Sequence, residues 1–208
     1  MADQRRSGSR PLTSISTFKS KLIGGGARPN LFEVELATLP PAVAQASWNA
    51  DNFKFMCKAA AIPAQNIASI DVPFRGRIFK VAGDRTFDTW TVTVMNDNDF
   101  KIRTAMEAWM QFVGQYADGS GATDPGSYQR NADVIQFARN ASALSKVDTE
   151  GLAAAKQYRF YGIFPTNISA IDLSYDTGDT IEEFTVEFQV QYWAPSDLGA
   201  GETNPGSA

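Results

Sequence analysis

Apolar and polar residues alternate in short runs set off by Gly, Pro, Asn and Asp, the pattern of β-strands with one face in a core. In Leu31–Ala37, Phe32, Val34 and Leu36 fall on one side and Glu33 and Glu35 on the other. From Phe87 to Met95, Trp90, Val92 and Val94 oppose Thr89, Thr91 and Thr93. The clearest run is Thr180–Trp193, where Phe184, Val186, Phe188, Val190 and Tyr192 alternate with Thr185, Glu187, Gln189, Gln191 and Trp193. Another strand is predicted from Phe53 to Ala60, with Phe53, Phe55, Cys57 and Ala59 on one face. Shorter strands are expected over Ile67–Pro73 and Arg77–Val81 with a bend at Gly76, then over Ala132–Arg139, Lys156–Ile163 and Ile168–Tyr175. Ile62-Pro63 interrupts pairing, because proline lacks the donor a ladder needs. Gly83-Asp84-Arg85 reads as a polar turn feeding the Phe87–Met95 strand.

One segment has the helical period instead. Ile102, Met106, Trp109, Met110 and Val113 form a single stripe that would pack on the sheet. Asp97, Asn98 or Asp99 can cap its start, and Gly114 or Gly119 can end it. Phe112 lies off the stripe, as a contact for a partner or as part of a wider buried face. Residues 38–51, with Pro40-Pro41, and the Gly/Asp/Ser-rich 117–130 read as loops, and 141–155 has no clear period. About eight strands and one helix predict a mainly β fold, an antiparallel β-sandwich or barrel with one packed α-helix. It would occupy 27–193, between an extended N-terminal arm, 1–26, and a C-terminal tail, 194–208.

Composition fits that picture: 208 residues with 43% hydrophobic content supply one core, and 12% aromatic residues suit strands. No apolar run nears the ~20 residues that cross a bilayer, and the N-terminus lacks the apolar segment of a signal peptide. The single cysteine, Cys57, cannot form an internal disulfide and reads as a buried free thiol. Charge is divided. Residues 1–28 carry Arg5, Arg6, Arg10, Lys19, Lys21 and Arg28 against Asp3, a balance of +5. The remainder holds 13 Lys/Arg against 22 Asp/Glu, a balance of −9. A basic arm could lie on the acidic body of another copy, or on nucleic acid, or stay solvated.

Catalytic signals fail one by one. The chain has no histidine, which removes Ser-His-Asp and Cys-His nucleophile systems and histidine metal ligands. Asp176-Thr177-Gly178 matches the aspartic-protease triplet, but that chemistry needs two carboxylates sharing a proton and there is one copy. Between two strands the triplet is turn chemistry. Glu182 and Glu183 point to opposite faces of a strand and cannot act as a dyad. Asp97-Asn98-Asp99 lacks the glycine and closing glutamate of a calcium loop, and Gly119–Gly126 lacks the Gly-Lys-Ser/Thr of a phosphate loop. No cofactor, metal or enzymatic role is expected.

Several separated motifs resemble, in order, the tail tube proteins of contractile-tailed (T-even-like) bacteriophages. They are Ala27-Arg28-Pro29-Asn30, Phe55-Met56-Cys57-Lys58-Ala59, Ala82-Gly83-Asp84-Arg85-Thr86-Phe87, Trp90 to Asp97, Phe164-Pro165-Thr166-Asn167 and Phe184 to Trp193. The resemblance implies six-membered rings stacked helically into the inner tube of the virion tail, assembled in the host cytoplasm and enclosed by a sheath. The fold it implies is like that of type VI secretion tube proteins. The implied partners are further copies of the chain, the tail sheath protein, baseplate and tail terminator proteins, and the tape measure protein and DNA in the lumen without specific binding. No membrane is implied.

On this reading Arg28, Asn30, Asp84 and Arg85 are candidates for subunit contacts, with Arg5, Arg6 and Arg10 of the arm. Asp84 and Arg85 could form an ion pair within the turn or between subunits. Glu33, Glu35 and Glu187 could line a lumen that repels phosphate, or could simply face solvent. Alternatives are the tube of a contractile injection or secretion system, a baseplate protein that initiates the tube, or a monomeric β-sandwich binding module using exposed Trp48 or Trp193.

Overall fold

The computed structural model describes residues 15–21, 26–43, 48–138, 154–176 and 178–196. Arg5, Arg6 and Arg10, nearly all of the 141–155 segment and most of the 194–208 tail lie outside the described residues. Within the predicted extended arm, Ile15–Lys21 is a helix, α1. Strand β1 is Phe32–Glu35, followed by helix α2, Ala50–Met56, and strand β2, Cys57–Ala60. Strands β3, Gln65–Phe74, β4, Arg77–Phe87, and β5, Trp90–Met95, lead to helix α3, Lys101–Val113. A short helix α4, Pro125–Tyr128, precedes β6, Arg130–Phe137, β7, Ala154–Ile168, β8, Glu183–Gln189, and β9, Tyr192–Ser196.

Seven strands form one antiparallel sheet in the order β1-β6-β7-β8-β5-β2, with β9 also on β7. The sheet folds over at the middle of β7. Residues up to Ile163 pair with β6 or β9, whereas Phe164–Ile168 pair with β8. Gly162 sits at this corner with φ +62°, and an added Cβ would come 2.7 Å from Gln191 Cγ. Only glycine adopts that backbone there without steric cost. Pro165 is tolerated in so long a strand because it lies where the β7–β8 register shifts. β1 and β2 do not pair, so the sheet stays open. Helix α2 packs against β1 and leads directly into β2. The mainly β class is as expected, and the open sheet makes it a sandwich rather than a closed barrel.

The core lies between the two halves. Trp90 stacks on Phe160 at 4.5 Å between centroids and tilts against Phe188 at 5.3 Å. Ile102, Met106 and Trp109 of α3 are buried in it, as their stripe predicts, with Met110 and Val113 half-buried. Trp109 donates from Nε1 to the Tyr128 carbonyl at 2.8 Å, tying α4 to α3. Phe100, φ 54°, holds the N-cap position of α3 rather than Asp97, Asn98 or Asp99, although Asp97 Oδ1 accepts from Lys101 N at 3.0 Å, and the Gly114 N–H closes the helix on Met110 O. Phe112 is half-buried against the core, which favours the wide buried face.

Four sequence expectations are corrected. The strand expected at Phe53–Ala60 is helical up to Met56, so α2 also takes the end of the 38–51 loop. Asn49 Oδ1 accepts from Asp51 N at 2.9 Å and starts the helix. Accordingly Phe53 is fully buried, while Phe55, its supposed face-mate, is 71% exposed. Gly83-Asp84-Arg85 is no turn but lies inside β4, where the β3–β4 register slips by a bulge. Ile168–Tyr175 is not a strand, because β7 ends at Ile168 and an irregular excursion follows to Glu182. Thr180–Trp193 is two strands, with Val190-Gln191 redirecting the chain from β8 to β9.

Candidate assembly interface

The hairpin β3–β4 forms its own two-stranded sheet and, among the described residues, joins no other strand. All ten residues of β3 and nine of the eleven in β4 are exposed. Gly76, φ +80°, and Arg75, φ +47°, make its turn. Register places Ile70 opposite Val81 and Val72 opposite Phe79, with Phe74 next on the same face. On the other face Asp71 opposes Lys80, and the two pair at 2.9 Å. One face is therefore apolar from Ile70 to Phe74, where Arg77 joins it, the other mixes the Asp71–Lys80 pair with Pro73 and Ile78, and among the described residues the apolar face is uncovered. Phe74 and Phe79 are 65% and 64% exposed. A lone two-stranded ribbon is marginal in water, and a contiguous apolar face of this kind marks an interaction surface. The sequence shows the apolar residues but hides the surface: Ile78 and Phe79 are both apolar, which blurs the period of two.

The lumen candidates lie on faces turned away from the core. Glu33 and Glu35 flank buried Val34 on β1. Lys54 of α2 pairs with Glu33 at 2.5 Å, and both side chains are largely covered. Glu35 stands opposite Asp133 of β6, and Asp133 receives a bidentate pair from Arg159 at 2.8 and 3.0 Å. Glu187, half-buried on β8, shares its face with Thr91 and Asn167 across the neighbouring strands.

Burial, with the neighbouring Glu33 charge, raises the Glu35 carboxyl above its ordinary 4.5, against the pull of Lys54. An acid raised in this way holds its proton more tightly folded than unfolded, so it costs stability as pH rises above 4.5. Glu35→Gln is therefore expected to raise the melting temperature at pH 7, with the gain vanishing below pH 4.5. A lower melting temperature at pH 7 would show that attraction to Lys54 outweighs burial.

The remaining candidates are dispersed. Arg28 and Asn30 are exposed in the turn before β1, where Arg28 O accepts from Gln136 Nε2 at 3.4 Å. Asp84 and Arg85 are exposed on β4, and among the described residues neither has an ion-pair partner. Trp48 and Trp193 are not exposed as a binding module requires. Trp48 packs on Phe53 at 5.6 Å and Trp193 edge-on to Tyr158 at 5.6 Å. Cys57 is half-buried, and burial pushes its thiol up to about 12. Asp176 lies in a turn, and Glu182 and Glu183 diverge to Asn96 and Lys58. Among the described residues no group of His, Cys, Asp or Glu could hold a metal ion.

Comparison with known proteins matches residues 27–196 to the phage tail tube protein family. The tail tube protein gp19 of Enterobacteria phage T4 is 36% identical over 170 residues, covering 82% of this chain and 92% of that protein. Among solved structures, a chain of the anti-feeding prophage baseplate superposes with a TM-score of 0.56 at 9% identity, covering 82% of this chain and 95% of that one. A chain of the sheath–tube complex of an extracellular contractile injection system, PVC, superposes at 0.53 with 10% identity, covering 88% and 98%. At such low identity these two likenesses concern the fold alone.

Proposed function

The chain belongs to the phage tail tube protein family, and from that premise we propose that it polymerises as stacked six-membered rings into a hollow tube through which DNA leaves the virion. The observation that carries this reading is the β3–β4 hairpin, whose apolar face has no cover among the described residues. A surface of that kind on a chain of this family is accounted for by a neighbouring copy. A head-to-tail contact that closes by rotation makes a ring, and a second that does not close makes a filament. Assembly takes place in the host cytoplasm, and the tube carries a sheath outside and is met by baseplate and terminator proteins at its ends.

The role is structural and the conduit passive. With a net charge of −4, a lumen lined by acids gains no counterion release from DNA, which passes without sticking. Of the three lumen candidates, Glu187 suits this best, because Glu33 is neutralised by Lys54. Injection-device tubes share the fold, but the 36% identity lies with a phage tail tube protein, which favours the phage tail.

Negative-stain electron microscopy of the purified protein tests the reading. Hollow tubes or stacked rings with six-fold end-on averages are expected. A species that sediments as a monomer and shows no rings at any concentration would overturn it.

A further inference from the structure

The hairpin and the excursion from Ser169 to Glu183 emerge at opposite ends of the same sheet. The hairpin leaves beside Trp90, where Asp88 N donates to Ala64 O at 3.1 Å. The excursion leaves beside Met95, which opposes Glu183, and there Asn96 N donates to Glu182 O at 2.8 Å. The six residues of β5 set the two about 20 Å apart along the strand.

The two features are also complementary in chemistry. Residues 65–87 carry Arg75, Arg77, Lys80 and Arg85 against Asp71 and Asp84, and Lys80 is spent on Asp71. Arg75 and Arg77 at the tip have no ion-pair partner among the described residues. The excursion carries Asp172, Asp176, Asp179, Glu182 and Glu183 with no Lys or Arg. Its three aspartates likewise have no ion-pair partner among the described residues. It wraps an open cleft of about 660 Å³ and leaves Leu173 80% and Ile181 68% exposed.

We propose that the hairpin tip of one copy docks on the 169–183 excursion of the next copy. The Ile70–Phe79 face covers Leu173 and Ile181, and Arg75 and Arg77 meet Asp172 and Asp176. This deepens the tube reading and rests on it. A donor at one pole and an acceptor at the other cannot close on themselves by a two-fold axis, so the contact propagates from copy to copy.

A charge exchange tests it. Arg75→Asp with Arg77→Asp sets like charges at the contact and is expected to raise the concentration needed for polymerisation about tenfold. Asp172→Arg with Asp176→Arg is expected to do the same. All four changes in one chain should restore it to near the wild-type value. Circular dichroism of each variant confirms folding. Tubes unaffected by either reversal, or an exchange no better than the single reversals, would overturn the docking and leave the tube standing. A wild-type chain that forms no tubes would overturn the tube reading itself.

Discussion

Replacing residues 66–86 by an Asn-Gly pair is expected to yield a folded, soluble monomer that does not polymerise. Gln65 and Phe87 are partners in the hairpin ladder, so a two-residue turn can close the gap. No residue of β3 or β4 belongs to the buried core, and the melting temperature should stay within a few degrees of wild type. The assembly effect is large. Ile70, Val72, Phe74, Phe79 and Val81 are exposed in the isolated chain. These side chains are about half exposed, so covering each is worth roughly half of the 1.5–3 kcal/mol of a full burial, and every 1.4 kcal/mol is tenfold in an equilibrium constant. Loss of all five raises the polymerisation threshold by more than about a hundredfold. Analytical ultracentrifugation with electron microscopy reads the outcome. Tubes at the wild-type concentration would remove the hairpin from the interface. A milder variant, Val72→Asp, keeps the chain length and is expected to act in the same direction.

The parts of this fold written in local pattern are legible in the sequence, and the parts that depend on context are not. The alternation around Trp90, Val92 and Val94 reports burial that the structure reproduces residue by residue, because β5 lies between two neighbours over a single core. The stripe of α3 succeeds for the same reason. Phe53–Ala60 misleads because a seven-residue helix followed by a four-residue strand shows too little of either period, and the Asn49 cap decides. Gly83 within β4 misreads conversely: glycine signals a turn, but here it serves a bulge inside a continuous strand. For assembly, the sequence points to charged turn residues. The larger candidate surface is an apolar ribbon face, visible only once the Ile70–Val81 and Val72–Phe79 register is known. Asp84 and Arg85 lie on that hairpin, though not as the ion-paired turn their order suggests. The excursion after Ile168 escapes because Ile171, Leu173 and Tyr175 alternate like a strand, yet among the described residues no neighbouring strand pairs with them.

Trp90→Ala is expected to cost about 3–5 kcal/mol, enough to leave much of a marginally stable chain unfolded. Its indole lies between Phe160 and Phe188, where the two halves of the sheet meet. The phenylalanine substitutions make the sharper test. Trp90 Nε1 is buried without a hydrogen-bond partner among the described residues, a loss of about 1–3 kcal/mol already borne by the native fold. Trp90→Phe removes that donor together with some packing, so the two effects oppose each other and the net change should stay within about 1 kcal/mol. Trp109→Phe removes comparable volume but strips the Tyr128 carbonyl of its 2.8 Å donor and frees α4 from α3. It should cost more than Trp90→Phe by the worth of that bond, about 1–3 kcal/mol. Urea denaturation of the three variants on the hairpin-deleted monomer gives these differences without interference from polymerisation. Equal losses for the two phenylalanine variants would show that indole volume governs the core rather than hydrogen bonding. A Trp90→Phe chain with an intact hairpin should still assemble, whereas the hairpin deletion folds without assembling, which separates the residues that hold the subunit from those that join it to the next.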